Sequence, residues 1–147
     1  MCGIVGYVGS RQARPLLLAG LEKLEYRGYD SAGISVLHGE EIEAVRAVGN
    51  LSALRGAIDA LDQPGGSAVA LADPPARTQT AAAQPATGIG HTRWATHGRV
   101  TEQNAHPHFD TTDRVHVVVN GIVENYVSLK RRLEADGARF TSETDAE

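Results

Sequence analysis

The feature that most limits how this chain can fold is a pair of β-prone runs, Ser31 to Leu37 and Glu41 to Val48, separated only by His38-Gly39-Glu40. A connection this short returns the chain alongside itself, so the two runs form a hairpin. A parallel pair would need a crossover of roughly a dozen residues or more, usually a helix. The sheet that contains this hairpin is therefore antiparallel there. The remaining segments are read around it. Residues 2–9 alternate Gly with Ile, Val and Tyr and predict a strand. Arg11 to Tyr26 predicts a helix with Leu16, Leu17, Leu21 and Leu24 on one face, Ser10 as cap and Gly28 as stop. Pro15 must then lie in its first turn. Asn50 can cap a short amphipathic helix through Leu51, Leu54, Ile58 and Leu61.

Thr87 to Thr92 returns to strand, and residues 98–113 read as polar loop. Val115, Val117 and Val119 alternate with Arg114, His116 and Val118. That pattern predicts a half-buried strand ending at Asn120-Gly121. Asn125 can cap a helix through Leu129 and Leu133 that stops at Gly137. Phe140 to Thr144 reads as the start of another strand. Strands joined by hairpins and interleaved with helices, without internal repeats, predict an α+β fold with helices layered on antiparallel sheets.

The 147 residues suffice for one modest domain. Hydrophobic content of 41% and charged content of 22% are ordinary for a globular chain. A net charge of −4 gives no basic surface for nucleic acid. One cysteine cannot form an internal disulfide, which fits a reducing cytoplasm. No apolar run is long enough for a membrane span or a signal-peptide core. Residues 62–87 hold Pro64, Pro74, Pro75 and Pro85 among Ala, Gly, Gln and Thr, and read as a surface loop insertion without a functional role. The β-like run at the C-terminus stops at Thr144-Asp145-Ala146-Glu147, which reads as a truncated domain.

Cys2, the single cysteine, stands directly behind Met1. Removal of Met1 would place an α-amine and a thiol on one residue. The amine has an ordinary pKa of about 7.7–8.0 and the thiol of about 8.5. The amine can then act as the thiol's base, with no distant histidine required. Ile4-Val5 would anchor that terminus in the core. Three further stretches stand out. Tyr26 to Gly33 reads as a helix end and turn, with charge and aromatics between two glycines. His91 to Gly98 sets the only Trp beside Arg93. Asn120-Gly121 fits a tight hairpin turn, or an oxyanion hole made of an amide and a following N–H. His91, His97, His106, His108 and His116 match no compact metal-ligand spacing, so no metal is expected.

Together these stretches carry a resemblance. Cys2-Gly3-Ile4-Val5-Gly6, Arg27 to Gly33, His91 to Gly98, Asn104 to Pro107, Val119 to Asn125 and Ser142 to Asp145 resemble the glutaminase domain of the glutamine–fructose-6-phosphate aminotransferase family. That domain is a type-2 glutamine amidotransferase of the N-terminal-nucleophile hydrolase superfamily. The resemblance covers nearly the whole chain except residues 62–87. It implies the N-terminal-nucleophile sandwich, helices over two antiparallel sheets, here truncated and without the family's sugar-isomerase domains. It implies Cys2 as nucleophile and Asn120 with the Gly121 N–H as oxyanion donors. Arg93, with Thr96 and His97, would clamp the substrate α-carboxylate. Asp145 would pair with the α-ammonium, and Trp94 would gate ammonia. The implied partners are L-glutamine and, through the missing domains, fructose 6-phosphate, in a homo-oligomeric full-length enzyme without cofactor. Alternatives are another class II amidotransferase, a stand-alone glutaminase, or a non-catalytic glutamine-binding fragment.

Overall fold

The computed structural model describes residues 2–63, 86–96 and 98–147. The expected surface insertion therefore lies, between residues 64 and 85, outside the described residues, as does His97. In chain order the elements are β1 (Gly3–Val8), α1 (Ala13–Glu22), β2 (Ser31–His38), β3 (Glu41–Val48), α2 (Leu51–Asp62), β4 (Thr87–Arg93), β5 (His108–Phe109), β6 (His116–Val117) and α3 (Tyr126–Ala135). Asp62, assigned to the loop from sequence, belongs to α2, and Thr87, which closes the loop range and opens the expected strand, belongs to β4. β1 to β4 form one sheet in the order β1-β4-β2-β3, and every pair in it is antiparallel. β5 and β6 form a second, two-stranded antiparallel sheet. The expected α+β class holds.

The β2–β3 hairpin forms as the sequence predicts, with His38 opposite Glu41. β2 is buried on both faces, and its alternation sorts them. Ala32, Ile34 and Val36 join Leu17, Leu21, Leu51, Leu54 and Ile58 in the core beneath α1 and α2. Removing each such leucine or isoleucine side chain from water stabilises the fold by about 1.5–3 kcal/mol. Gly33 and Ser35 face the other way, towards His106 and His116. Small residues there let the segment carrying both histidines lie directly on the sheet. A Cβ on Gly33 would stand 2.2 Å from the His106 carbonyl oxygen. Gly33→Ala must therefore push a backbone segment off the sheet. Overpacking of this kind typically costs about 1–3 kcal/mol. Urea unfolding should show it as a lowered midpoint, and an unchanged midpoint would contradict the packing.

α2 begins as expected, the Asn50 side chain accepting from the Ala53 N–H at 3.2 Å. α1 does not begin at its expected cap. It starts at Ala13 behind Gln12, with no side-chain capping bond, and a 3₁₀ turn at Glu25–Arg27 follows it. That start puts Ala13, Leu17, Leu18 and Leu21 against the sheet, leaves Leu16 half-buried and drops Leu24 outside the helix. Three further expectations are corrected. The valine strand shrinks to two residues, and its alternation is reversed. Val115 and Val117 are exposed, whereas His116 turns inward. The reason is polar: His116 Nδ1 meets Ser35 Oγ at 2.8 Å and its Nε2 meets Asp113 at 2.9 Å. Phe140 to Thr144 forms no strand, because the Thr141 and Ser142 N–H groups donate to the Glu147 carboxylate instead of to a neighbouring strand. α3 buries none of its side chains, and Asn125 sits at its cap without a side-chain bond.

Candidate active site

Cys2 immediately precedes β1, whose first residue pairs with Thr92 of β4. The space there admits only a glycine. A Cβ on Gly3 would lie 2.7 Å from Leu24 and 2.8 Å from Thr92 Oγ1. This close contact brings the thiol against the Trp94 backbone. Cys2 Sγ accepts from the Trp94 N–H at 3.4 Å and lies 3.9 Å from the Trp94 carbonyl oxygen, to which its S–H can donate.

Asp30 holds the segment just beyond β4. Its N–H donates to the Arg93 carbonyl at 2.8 Å, and its carboxylate accepts from the Ala95 N–H at 2.5 Å. Tyr29 accepts from the Leu51 N–H at 2.6 Å and donates to Glu25. Burial and the Glu25 carboxylate push its pKa up to about 12. The Tyr26 to Gly33 stretch thus supports the site and does not line it. Gly28, at φ +70°, ends the 3₁₀ turn in a backbone conformation that other residues rarely adopt and leaves room for the Trp94 indole, which is 52% exposed above it.

An open cleft of about 400 Å³ gathers Cys2, Arg93, Trp94, Thr96, Asn120, Gly121 and Asp145. These are the residues singled out from sequence, apart from His97. Asn120-Gly121 is not a hairpin turn: it lies in a bend between β6 and α3, and no strand follows. Arg93 is 4% exposed, and its Nη1 donates to the Arg99 carbonyl at 3.2 Å. One Asp145 oxygen accepts from the Val123 N–H at 2.6 Å, so the carboxylate is tied to the loop that carries Asn120.

Sequence reasoning missed His106, which also lines the cleft. It saw the Asn104 to Pro107 block but gave it no role. His106 stacks on His91, ring centroids 4.2 Å apart, and meets His108 edge-on at 4.5 Å. His91 Nε2 lies 3.1 Å from the Val119 carbonyl, one residue before Asn120. His108 Nε2 lies 2.9 Å from Thr144 Oγ1, one residue before Asp145. The histidine cluster is thus a floor that fastens two cleft loops. Among the described residues no three His, Cys, Asp or Glu side chains are grouped to hold a metal ion.

Burial pushes all three imidazoles towards the neutral form: His91 and His108 to about 4, His106 to about 2. In the unfolded chain they titrate near 6.5. Above that value they are neutral in both states, and the stabilising effect of the stack is complete. As the pH falls from 6.5 towards about 4, the unfolded chain binds protons that the folded chain refuses. Stability should therefore drop through this window, and His91→Gln should flatten the drop. Denaturation midpoints measured across it check the sign.

Against known proteins, the sequence matches the glutamine amidotransferase domain family over residues 73–147. The chain belongs to that family. Across its whole length it is 52% identical to glutamine–fructose-6-phosphate aminotransferase (isomerizing) of Nostoc sp., spanning 20% of that relative. It is 50% identical to the Thermus thermophilus protein of the same name, spanning 21% of it. The chain thus spans about a fifth of the length of these relatives. Among solved structures it superposes on glutamine phosphoribosylpyrophosphate amidotransferase from B. subtilis with a TM-score of 0.65 and 23% identity, covering 99% of this chain and 27% of that one. The two share one fold. Among the described residues no helix is long and apolar enough to cross a membrane.

Proposed function

We propose that this chain is the glutamine-hydrolysing part of a glutamine–fructose-6-phosphate aminotransferase, supplying ammonia for glucosamine 6-phosphate. The observation that carries the reading is one cleft lined by a thiol, a buried guanidinium, an amide with an adjacent N–H, and a carboxylate. Each suits one part of glutamine. Arg93, aided by Thr96 and His97, binds the α-carboxylate, a planar two-oxygen target for its fork. Asp145 binds the α-ammonium.

With Met1 removed, the Cys2 amine takes the thiol proton, and sulfur attacks the side-chain amide carbon. The carbonyl oxygen becomes an oxyanion held by the Asn120 amide and the Gly121 N–H. The C–N bond breaks, the amine returns its proton, and ammonia leaves a γ-glutamyl thioester. Water then attacks, giving a proton to the amine. The C–S bond breaks, and glutamate and the thiol are restored. Trp94 gates the ammonia. Amination of fructose 6-phosphate uses residues outside the fifth of the relatives matched here, in a cytoplasmic homo-oligomer.

Intact mass after incubation with a diazoketone analogue of glutamine tests the reading. Loss of Met1 and one covalent adduct on Cys2 is expected. Reversible binding of glutamine without an adduct would reduce the chain to a binding module.

A further inference from the structure

One buried side chain, Asn104, joins the segments that carry Arg93 and Asp145 by several bonds. Asn104 is 2% exposed, and both ends of its amide are engaged. Its Oδ1 accepts from the Glu143 N–H at 2.8 Å. Its Nδ2 donates to the Arg99 carbonyl at 3.0 Å and to Glu143 Oε2 at 3.1 Å. The Arg99 carbonyl is the same one that accepts from Arg93 Nη1. Glu143 Oε2 also accepts from the Arg99 N–H at 3.2 Å. The connection runs from Arg93 through Arg99, Asn104 and Glu143, and Asp145 stands two residues further on.

These neighbours select asparagine. An N–H must meet an acceptor, and a carbonyl and a carboxylate must meet donors, so an Asp would lose both donors and face Glu143 charge to charge. Space is equally strict: a Cβ on Gly98 would stand 2.9 Å from Asn104 Nδ2. The Arg99 N–H and the Asn104 amide hold the Glu143 carboxyl below the usual carboxylate range, which keeps it the charged acceptor that this contact uses.

We infer that Asn104 is a positioning residue that holds the Arg93 guanidinium and the Asp145 carboxylate at the separation an α-amino acid head requires. This rests on the glutaminase reading. Asn104 touches neither the thiol nor the Asn120 loop in any hydrogen bond described above. Its loss should therefore weaken capture of the amino-acid head and leave the thiol's own reactivity intact.

Two reagents separate these effects in the 147-residue chain. The diazoketone analogue carries an amino-acid head, whereas iodoacetamide carries none. Both alkylate Cys2 and are read by intact mass. Asn104→Ala should raise the half-saturating analogue concentration roughly tenfold, the loss of one or two net hydrogen bonds. Its limiting labelling rate and its rate with iodoacetamide should match those of the wild type. Asn104→Asp should not rescue it. Glu143→Ala lies on the exposed side of the same connection and keeps the fold if Asn104→Ala does not; it should shift analogue capture in the same direction, by roughly threefold. Unshifted analogue capture in these variants would overturn the inference. So would a parallel loss of both reagents, which marks a merely structural role. A wild-type chain alkylated by iodoacetamide but not by the analogue would instead remove the glutaminase reading, and the inference with it.

Discussion

Cys2→Ala is expected to abolish ammonia release from glutamine while glutamine still binds. Removal of a nucleophile that acts with its base as a unit costs on the order of 10⁴–10⁶ in turnover. In this cleft no second thiol exists to take over, since Cys2 is the only cysteine in the chain. Recognition of the amino-acid head is assigned to Arg93 and Asp145, which reach the cleft from β4 and from the C-terminal segment, so the substitution leaves it in place. Cys2→Ser is the sharper variant. It keeps the shape and the N-terminal amine, but a hydroxyl ionises far less readily than a thiol of pKa about 8.5. The weak amine base should then leave only traces of activity. Ammonia assays with binding measured in parallel distinguish the outcomes. Appreciable turnover by Cys2→Ala would sink the mechanism.

Asn120→Ala should lower kcat by about 10²–10³ with a smaller change in KM. Its amide serves a charge that develops only during the reaction, so the ground-state complex barely feels its loss. The loop should survive the change. It is held by Asp145 on the Val123 N–H and by His91 at the Val119 carbonyl, not by the Asn120 side chain in any bond described above. A raised KM with unchanged kcat would make Asn120 a binding residue.

Much of this was legible in the sequence, for local reasons. The His38-Gly39-Glu40 connection is too short for anything but a hairpin, and Asn50 caps α2 with its own side chain. The strand character of residues 3–8, 31–37 and 87–92 is likewise a property of near neighbours. The errors came where polar side chains, near and far, decide against the apolar pattern. His116 turned inward and the valines outward because Ser35 offers a hydrogen bond across the fold and Asp113 a second one from three residues earlier. The expected Phe140 to Thr144 strand gave way to Glu147, whose carboxylate takes the N–H groups that a neighbouring strand would have used.

The same division runs through the site. The order of the motifs and the identity of their reactive groups are properties of the chain alone, because a thiol behind Met1, a guanidinium beside Trp94 and an Asn-Gly pair keep their chemistry in any context. What only the tertiary structure decided is how they are held. Asn104 and His91 stand in motif blocks and His108 beside one, but nothing in the sequence marks any of them as a tie between segments. Folding buries them, and a buried polar group must find partners or cost stability. The partners within reach are the carbonyls, N–H groups and hydroxyls of the segments that carry Arg93, Asn120 and Asp145. Burial thus turned side chains with no role assigned from sequence into the ties between segments whose sequence positions lie far apart.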